Sequence, residues 1–231
     1  MSPGSYRHGD KDQGILVQAS NGNVFYSLIR PFYALLHLDW SVTDGAQAFM
    51  TDIPQRLETS RLILRQLEPD DADPLHDELN RSYEHLAPWL EWLTPNMTLE
   101  ERREFCERTF NDYREGNGAI YGLWIRETGR LAGVMNASNL NKSVPSAEVG
   151  YWGAVETKGK GYISEAVRAI SHHLIDVSGF ERVWLSCDAN NTASQRVAEH
   201  SGMQQEGRLR NARRDLKGNL SDTLMYSIIR G

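Results

Sequence analysis

Cysteine is scarce in this chain. Only Cys106 and Cys187 occur in 231 residues, and their spacing builds neither a metal-ligand set nor a paired-cysteine framework. A reducing, cytoplasmic compartment is the simplest reading of so few thiols. Long apolar runs are missing too. The most apolar early stretch, Val24 to Trp40, is interrupted by Arg30 and Pro31, so we expect no membrane span. It also starts too late for a secretory signal, with no small-residue cleavage pattern after it. Excess positive charge is absent: 25 Lys and Arg against 31 Asp and Glu give a net charge of −6, which argues against a direct nucleic-acid binder. That sign suits a cationic or amine substrate, and equally an ordinary soluble surface. No internal repeat or low-complexity segment is present.

Residues 1–49 do not read like the rest, being polar and aperiodic up to Asn23. We expect an N-terminal extension over 1–49 and one regular domain over 50–231, starting near Met50; a short docking helix from Val24 to Leu38 is the rival for part of the extension. Within the domain, Arg61 to Leu67 alternates as a first strand. Pro69 and two aspartates then open a helix from Asp71 to Arg81. Trp89 and Trp92 follow on a proline-bounded irregular stretch, as packing groups or as substrate contacts. A helix from Thr98 to Arg114 offers Leu99, Phe105, Thr109 and Phe110 to its buried side. Strands Ala119 to Arg126 and Arg130 to Ser138 form a hairpin across Glu127-Thr128-Gly129. Further on come a strand from Arg182 to Asp188, a helix from Thr192 to Ser201 capped by Asn191, and strands Met203 to Arg213 and Asp222 to Ile229. The order β-α-α-β-β-β-α-β-α-β-β implies an α/β (α+β) domain of three layers, a mixed sheet with helices on its faces.

The stretch around which this order turns runs from Ala147 to Ile170. Glu148 to Val155 reads as a buried strand. Gly159 and Gly161 bracket Lys160, and Ile163, Ala166, Val167, Ile170 and Leu174 then keep helical spacing. A glycine turn opening a helix presents unpaired N–H groups at the positive end of the helix dipole, and its lysines add full charge. Such a turn asks for a phosphate or pyrophosphate, unless it is only an ordinary basic strand-to-helix turn. The Walker pattern is absent, and Ser164 occupies the third glycine position of a dinucleotide fingerprint.

The better match is to a family. Lys158-Gly159-Lys160-Gly161-Tyr162-Ile163 resembles the coenzyme A pyrophosphate loop of the GCN5-related N-acetyltransferases (GNAT), with Lys158 at the Gln/Arg position and Ile163 at the last one. Ile163 there suggests looser strand–helix packing than the family has. Four stretches in order narrow the resemblance to the RimJ/RimL branch, which modifies the N-termini of ribosomal proteins: RLETSRLILR from Arg56, LAPWLEWL from Leu86, AEVGYW from Ala147 and CDANNTASQRVAEHSGM from Cys187. The resemblance extends over roughly Arg56 to Arg230.

The resemblance implies a mostly antiparallel sheet whose central strand pair splays. It implies acetyl-coenzyme A as co-substrate, without a metal, and as acceptor a protein N-terminus or, alternatively, a small amine such as a polyamine or amine antibiotic. A monomer or homodimer is expected. Trp152, Gly153, Ala154 and Val155 would pair with the pantetheine amides. The N–H groups of Lys158, Gly159, Lys160, Gly161, Tyr162, Ile163 and Ser164 would hold the pyrophosphate. Asn191 and Ser194 would lie near the thioester end, and Trp89 and Trp92 on the acceptor side.

An amine attacks a thioester only when neutral, so a base must take its proton, and the developing oxyanion needs an N–H donor. Ser194 is the candidate donor to the leaving thiolate; otherwise it is a helix-start hydroxyl bonded to backbone. Related enzymes carry an acid where this chain has Arg213. Glu148 is then the first candidate base and Asp215 the second; a rim charge binding the substrate ammonium is the other role open to Glu148. Arg213 also motivates a rival from another class, a coenzyme A-binding sensor that has lost its chemistry. Arg208, Arg210, Arg213 and Arg214 form a basic cluster, either a solvated face or a guide for an acidic protein substrate.

Overall fold

The computed structural model describes residues 53–231; the expected extension, the docking helix and the Met50 boundary lie outside the described residues. Eight strands form one sheet: β1 (Arg56–Glu58), β2 (Leu62–Gln66), β3 (Ala119–Ile125), β4 (Leu131–Asn141), β5 (Ser146–Gly153), β6 (Arg182–Asp188), β7 (Gln204–Arg214) and β8 (Leu220–Ile229). Their spatial order is β1-β2-β3-β4-β5-β6-β8-β7. Every neighbouring pair is antiparallel except β5 and β6. The helices are α1 (Ala72–Arg81), α2 (Tyr83–Leu86), α3 (Leu99–Arg114), α4 (Tyr162–Asp176) and α5 (Thr192–His200). This is the three-layer fold expected from the element order. Among the described residues, no helix is long and apolar enough to cross a membrane.

Alternation along the strands divides the core in two. Leu62, Leu64, Tyr121, Leu123, Met135, Val149, Val183 and Leu185 face α4 and α5, which contribute Ala166, Val167, Ile170, Leu174 and Ala198. The other face meets α1 and α3 through Leu67, Leu75, Leu79, Cys106, Leu131, Val134 and Trp152. Burying each such Leu or Val contributes roughly 1.5–3 kcal/mol, enough to make two separate cores in one domain.

The differences from expectation are local. The first strand is preceded by β1, because Thr59 turns the chain: its N–H donates to the Leu62 carbonyl and its hydroxyl accepts from the Leu62 N–H. A second short helix, α2, follows α1 directly. On α3 the buried side is Arg102, Cys106 and Thr109, while Phe105 and Phe110 are only half-buried. A stripe containing an arginine and a threonine carries little apolar signal. Thr98 caps this helix with its hydroxyl, reciprocated by Glu101. The organising strand stops at Gly153, two residues before the expected end, and Val155–Thr157 is a 3-10 turn.

Candidate active site

β5 and β6 are paired only at their beginnings, where Ser146, Ala147 and Glu148 stand against Arg182, Val183 and Trp184. Beyond that, β5 stays with β4 and β6 stays with β8, so a gap opens along the remainder of both strands. The Ala154 N–H donates to the directly opposed Ala132 carbonyl. Antiparallel pairs alternate, so Trp152 and Gly150 also turn their backbone groups to β4. Tyr151 and Gly153 turn theirs to the gap, where they have no strand partner. This corrects the expectation for Trp152 to Val155. The Ala154 and Val155 N–H groups are already taken, the latter by the Ser82 hydroxyl at 2.9 Å, and Trp152 packs between sheet and α1–α3. Only Gly153 of the four presents its backbone to the gap.

At the open end the chain runs through the glycine turn into α4. Gly159 and Gly161 have φ of 76° and 77°, left-handed values that side chains resist. The Lys160 carbonyl accepts from Arg61 Nη1 at 2.9 Å, fixing the Lys160–Gly161 peptide so that the Gly161 N–H points the other way. The N–H groups of Gly159 and Gly161 meet no protein acceptor among the described residues, and those opening α4 have none within the helix. Arg61 also binds Glu165 at 2.6 Å and lies 4.7 Å over the Tyr162 ring. Glu165, whose charge would otherwise oppose an anion there, accepts from Thr59, Ser60 and the Arg61 backbone as well. Burial opposes its charge, but these bonds hold its carboxyl below the usual carboxylate range. The Ile163 expectation is also corrected. A Cβ on Gly153 would lie 3.0 Å from Ile163 Cγ1, and one on Gly133 3.1 Å from Cδ1. Two glycines on the sheet make room for the larger side chain, and the packing is close.

On the α4–α5 face of the gap, the Tyr151 hydroxyl lies 2.8 Å from Ser194 Oγ and 3.2 Å from the Ser194 carbonyl. The Ser194 N–H donates to Asn191 Oδ1, which caps α5. Burial pushes both the Tyr151 hydroxyl and the Cys187 thiol up, so each stays protonated. Tyr151 was not foreseen. Its place in Val149-Gly150-Tyr151, one residue out of phase with Glu148, was the available signal.

Glu148 projects from the opposite face, in line with Gly150 and Trp152. Burial raises its pKa, and a hydrogen bond from Asn139 Nδ2 pulls it partly back. Asn139 reaches it from a bulge in β4, where its φ is 49°. The alternative base, Asp215, is contradicted. Its oxygens accept from the backbone of Lys217 and Asn219 and from the Asn219 amide, closing the β7–β8 turn. Those bonds hold it below the usual range, unsuited to a base at neutral pH. Arg213 Nε stands 3.6 Å from Asp188 Oδ2 at the end of β6.

Trp89 is 38% exposed and Trp92 packs against the α1–α3 core. Neither lines the cleft of about 550 Å³ bounded by His76, Asn80, Tyr83 and residues 95–98, and that cleft shares no residue with the gap. His172 pairs with Asp176 on the exposed side of α4. Among the described residues no group of three or more His, Cys, Asp or Glu side chains is placed to hold a metal.

A splayed parallel pair followed by a glycine turn into a helix is accompanied by a match in sequence. Residues 61–204 match the acetyltransferase (GNAT) domain, well over half of the chain. The chain belongs to the GNAT acetyltransferases. It is an N-acetyltransferase of that family. Over 180 residues it is 32% identical to the uncharacterized N-acetyltransferase YoaA of Bacillus subtilis, covering 75% of this chain and 96% of that one. It is 24% identical over 151 residues to the ribosomal-protein-serine acetyltransferase of Escherichia coli, covering 65% of this chain and 83% of that protein. Its fold is similar to RimL, a ribosomal alpha-N-protein acetyltransferase solved in complex with coenzyme A, with a TM-score of 0.69 over 77% of this GNAT chain and 97% of that one at 24% identity.

Proposed function

We propose that this GNAT enzyme transfers an acetyl group from acetyl-coenzyme A to the N-terminal amine of a protein, a ribosomal protein being the favoured class. The observation that carries the reading is the gap, with a raised-pKa carboxylate on one face and a hydroxyl pair on the other. A pantetheine chain fits the gap because the Tyr151 and Gly153 backbone groups offer amide partners there. A pyrophosphate fits the turn because Gly159, Gly161 and the first residues of α4 offer free N–H groups beside Lys158 and Lys160. The bound co-substrate supplies the acetyl thioester; the chain's own groups handle protons and position.

Glu148 accepts the proton of the incoming ammonium, directly or through one water, so that a neutral amine attacks. A gap-facing N–H of β5 stabilises the oxyanion that develops at the carbonyl. Ser194 donates a hydrogen bond to the departing sulfur on the opposite face, and Tyr151 fixes its rotamer. Base and leaving-group donor thus stand on opposite faces of the sheet, so the group that takes the amine proton and the group that meets the sulfur do not compete for one position. The names of the similar proteins support a ribosomal acceptor.

Mass spectrometry of N-terminal peptides from ribosomal proteins, incubated with enzyme and acetyl-coenzyme A, tests this reading. Acetylation confined to the α-amine supports it. Transfer to polyamines in preference to every peptide would replace it with the small-amine reading, and coenzyme binding without transfer to any amine with a sensor.

A further inference from the structure

Cross-strand pairing puts Arg213 and Glu148 on one face of the sheet, on opposite sides of the gap. Glu148 is opposite Trp184 on β6, and Ser186 and Asp188 continue that face along the strand. Asp188 pairs with Thr223 on β8, Ser221 shares its face, and Arg213 on β7 is opposite Ser221. Asp188 lies four residues beyond Trp184, about 13 Å further toward the open end of the gap.

Arg213 reaches this position because β7 is bulged. Leu209 is opposite Thr223 and Arg213 opposite Ser221, so three intervening residues stand against one. Asp222 holds the bulge, accepting from the Asn211 N–H at 2.8 Å and from Arg208 Nε at 2.6 Å, while Asn211 takes a φ of 53°. The guanidinium so delivered is half-buried, and its only ion pair among the described residues is a loose one. Arg213 Nε is 3.6 Å from Asp188, too far to hydrogen-bond, and has no other acceptor. Asp188 spends its other oxygen on the Asn190 N–H at 2.8 Å.

We propose that Arg213 is a specificity residue that reads an acidic side chain at the third to fifth position of the acceptor peptide. The inference rests on the N-terminal acetyltransferase reading. An amine placed between Glu148 and Ser194 leaves the following residues to run along β6 toward Asp188, where an extended chain advances about 3.3 Å per residue. Its carboxylate gains the planar, multi-donor partner that Arg213 holds out. A polyamine, by contrast, would set a second ammonium against that cation.

Short peptides with a free N-terminus, identical except for acidic, neutral or basic residues at positions three to five, provide the test. Transfer rates are measured with acetyl-coenzyme A, and affinities by calorimetry on enzyme loaded with coenzyme A alone. Wild type should favour acidic over neutral peptides about tenfold in both readouts, more at low salt. Arg213→Gln should bring that ratio near one, and Arg213→Lys should keep part of it. Asp188→Asn, which removes the competing charge without touching the arginine, should widen it. A ratio unchanged in Arg213→Gln, or a wild-type preference for basic or neutral peptides, overturns the inference alone. Failure to acetylate any peptide overturns the functional reading and this inference with it.

Discussion

The two walls of the gap are built to opposite rules. On the β5 side the groups that face the gap and its open end are backbone: Tyr151, Gly153 and the turn around Gly159 and Gly161. They are held from behind by Ser82 and Arg61. On the β6 side they are side chains: Cys187 with Ser194 of α5 on one face, and on the other Asp188 and Arg213, placed by register across β6, β8 and a bulged β7. The first wall is suited to a ligand that never varies. The second can change its chemistry residue by residue without altering the fold.

The largest effect should come at the point where the walls meet. Glu148→Gln should lower kcat by about 10²- to 10⁴-fold, the usual worth of general base catalysis, with coenzyme affinity kept. Only the ionised carboxylate is a base, and burial raises its pKa. Wild-type kcat/KM should therefore rise with pH through a midpoint above the ordinary carboxylate value, and the variant should lose that limb. The stability sign is opposite. A raised folded-state pKa contributes stability below the unfolded value that is lost as pH rises through the folded one, so Glu148→Gln should be slightly the more stable protein at neutral pH. A variant with full activity would leave the two walls without a shared centre.

Next, Gly161→Val strikes the backbone wall. A β-branched residue at φ of 77° costs at least about 1–2 kcal/mol or forces the peptide to flip, and either outcome spoils the N–H cradle. Coenzyme affinity should fall at least about tenfold, readable by calorimetry. On the side-chain wall, Ser194→Ala should lower kcat about tenfold with little change in coenzyme affinity, as expected for losing one hydrogen bond to the leaving group. Tyr151→Phe should do less, because Asn191 still anchors the Ser194 backbone.

This contrast also explains what was legible in the sequence. The glycine turn, the helix behind it, the Asn191 cap and the three-layer order all follow from local spacing, and they match the structure to within a few residues. Glu148 could be singled out by residue type. Tyr151 required knowing which strand face meets α5. Arg61 approaches the turn from about a hundred residues away in the chain, beyond any local pattern. The failure of Asp215 was equally hidden, since the turn that consumes its oxygens forms only when β7 and β8 pair. Ile163 misled for the same reason: the glycines that accommodate it, Gly133 and Gly153, lie on two strands whose register the sequence does not display.

The smallest effect separates two ways in which Arg61 can support the backbone wall. Arg61 is 46% exposed, so its pair with Glu165 should matter little for global stability. Arg61→Ala should therefore leave Tm nearly unchanged while weakening coenzyme binding about three- to tenfold, an order of magnitude set by one or two lost contacts. Two causes contribute. The Lys160 carbonyl is released, so the Gly161 N–H is no longer aimed. Glu165 also loses its counter-charge in the first turn of α4, where a carboxylate repels phosphate. Glu165→Gln in the Arg61→Ala background removes the second cause and leaves the first. Recovery of most of the lost affinity would make Arg61 an electrostatic shield, with the glycines alone shaping the turn. No recovery would make it the strut that sets the peptide plane, and the backbone wall would then depend on a side chain after all.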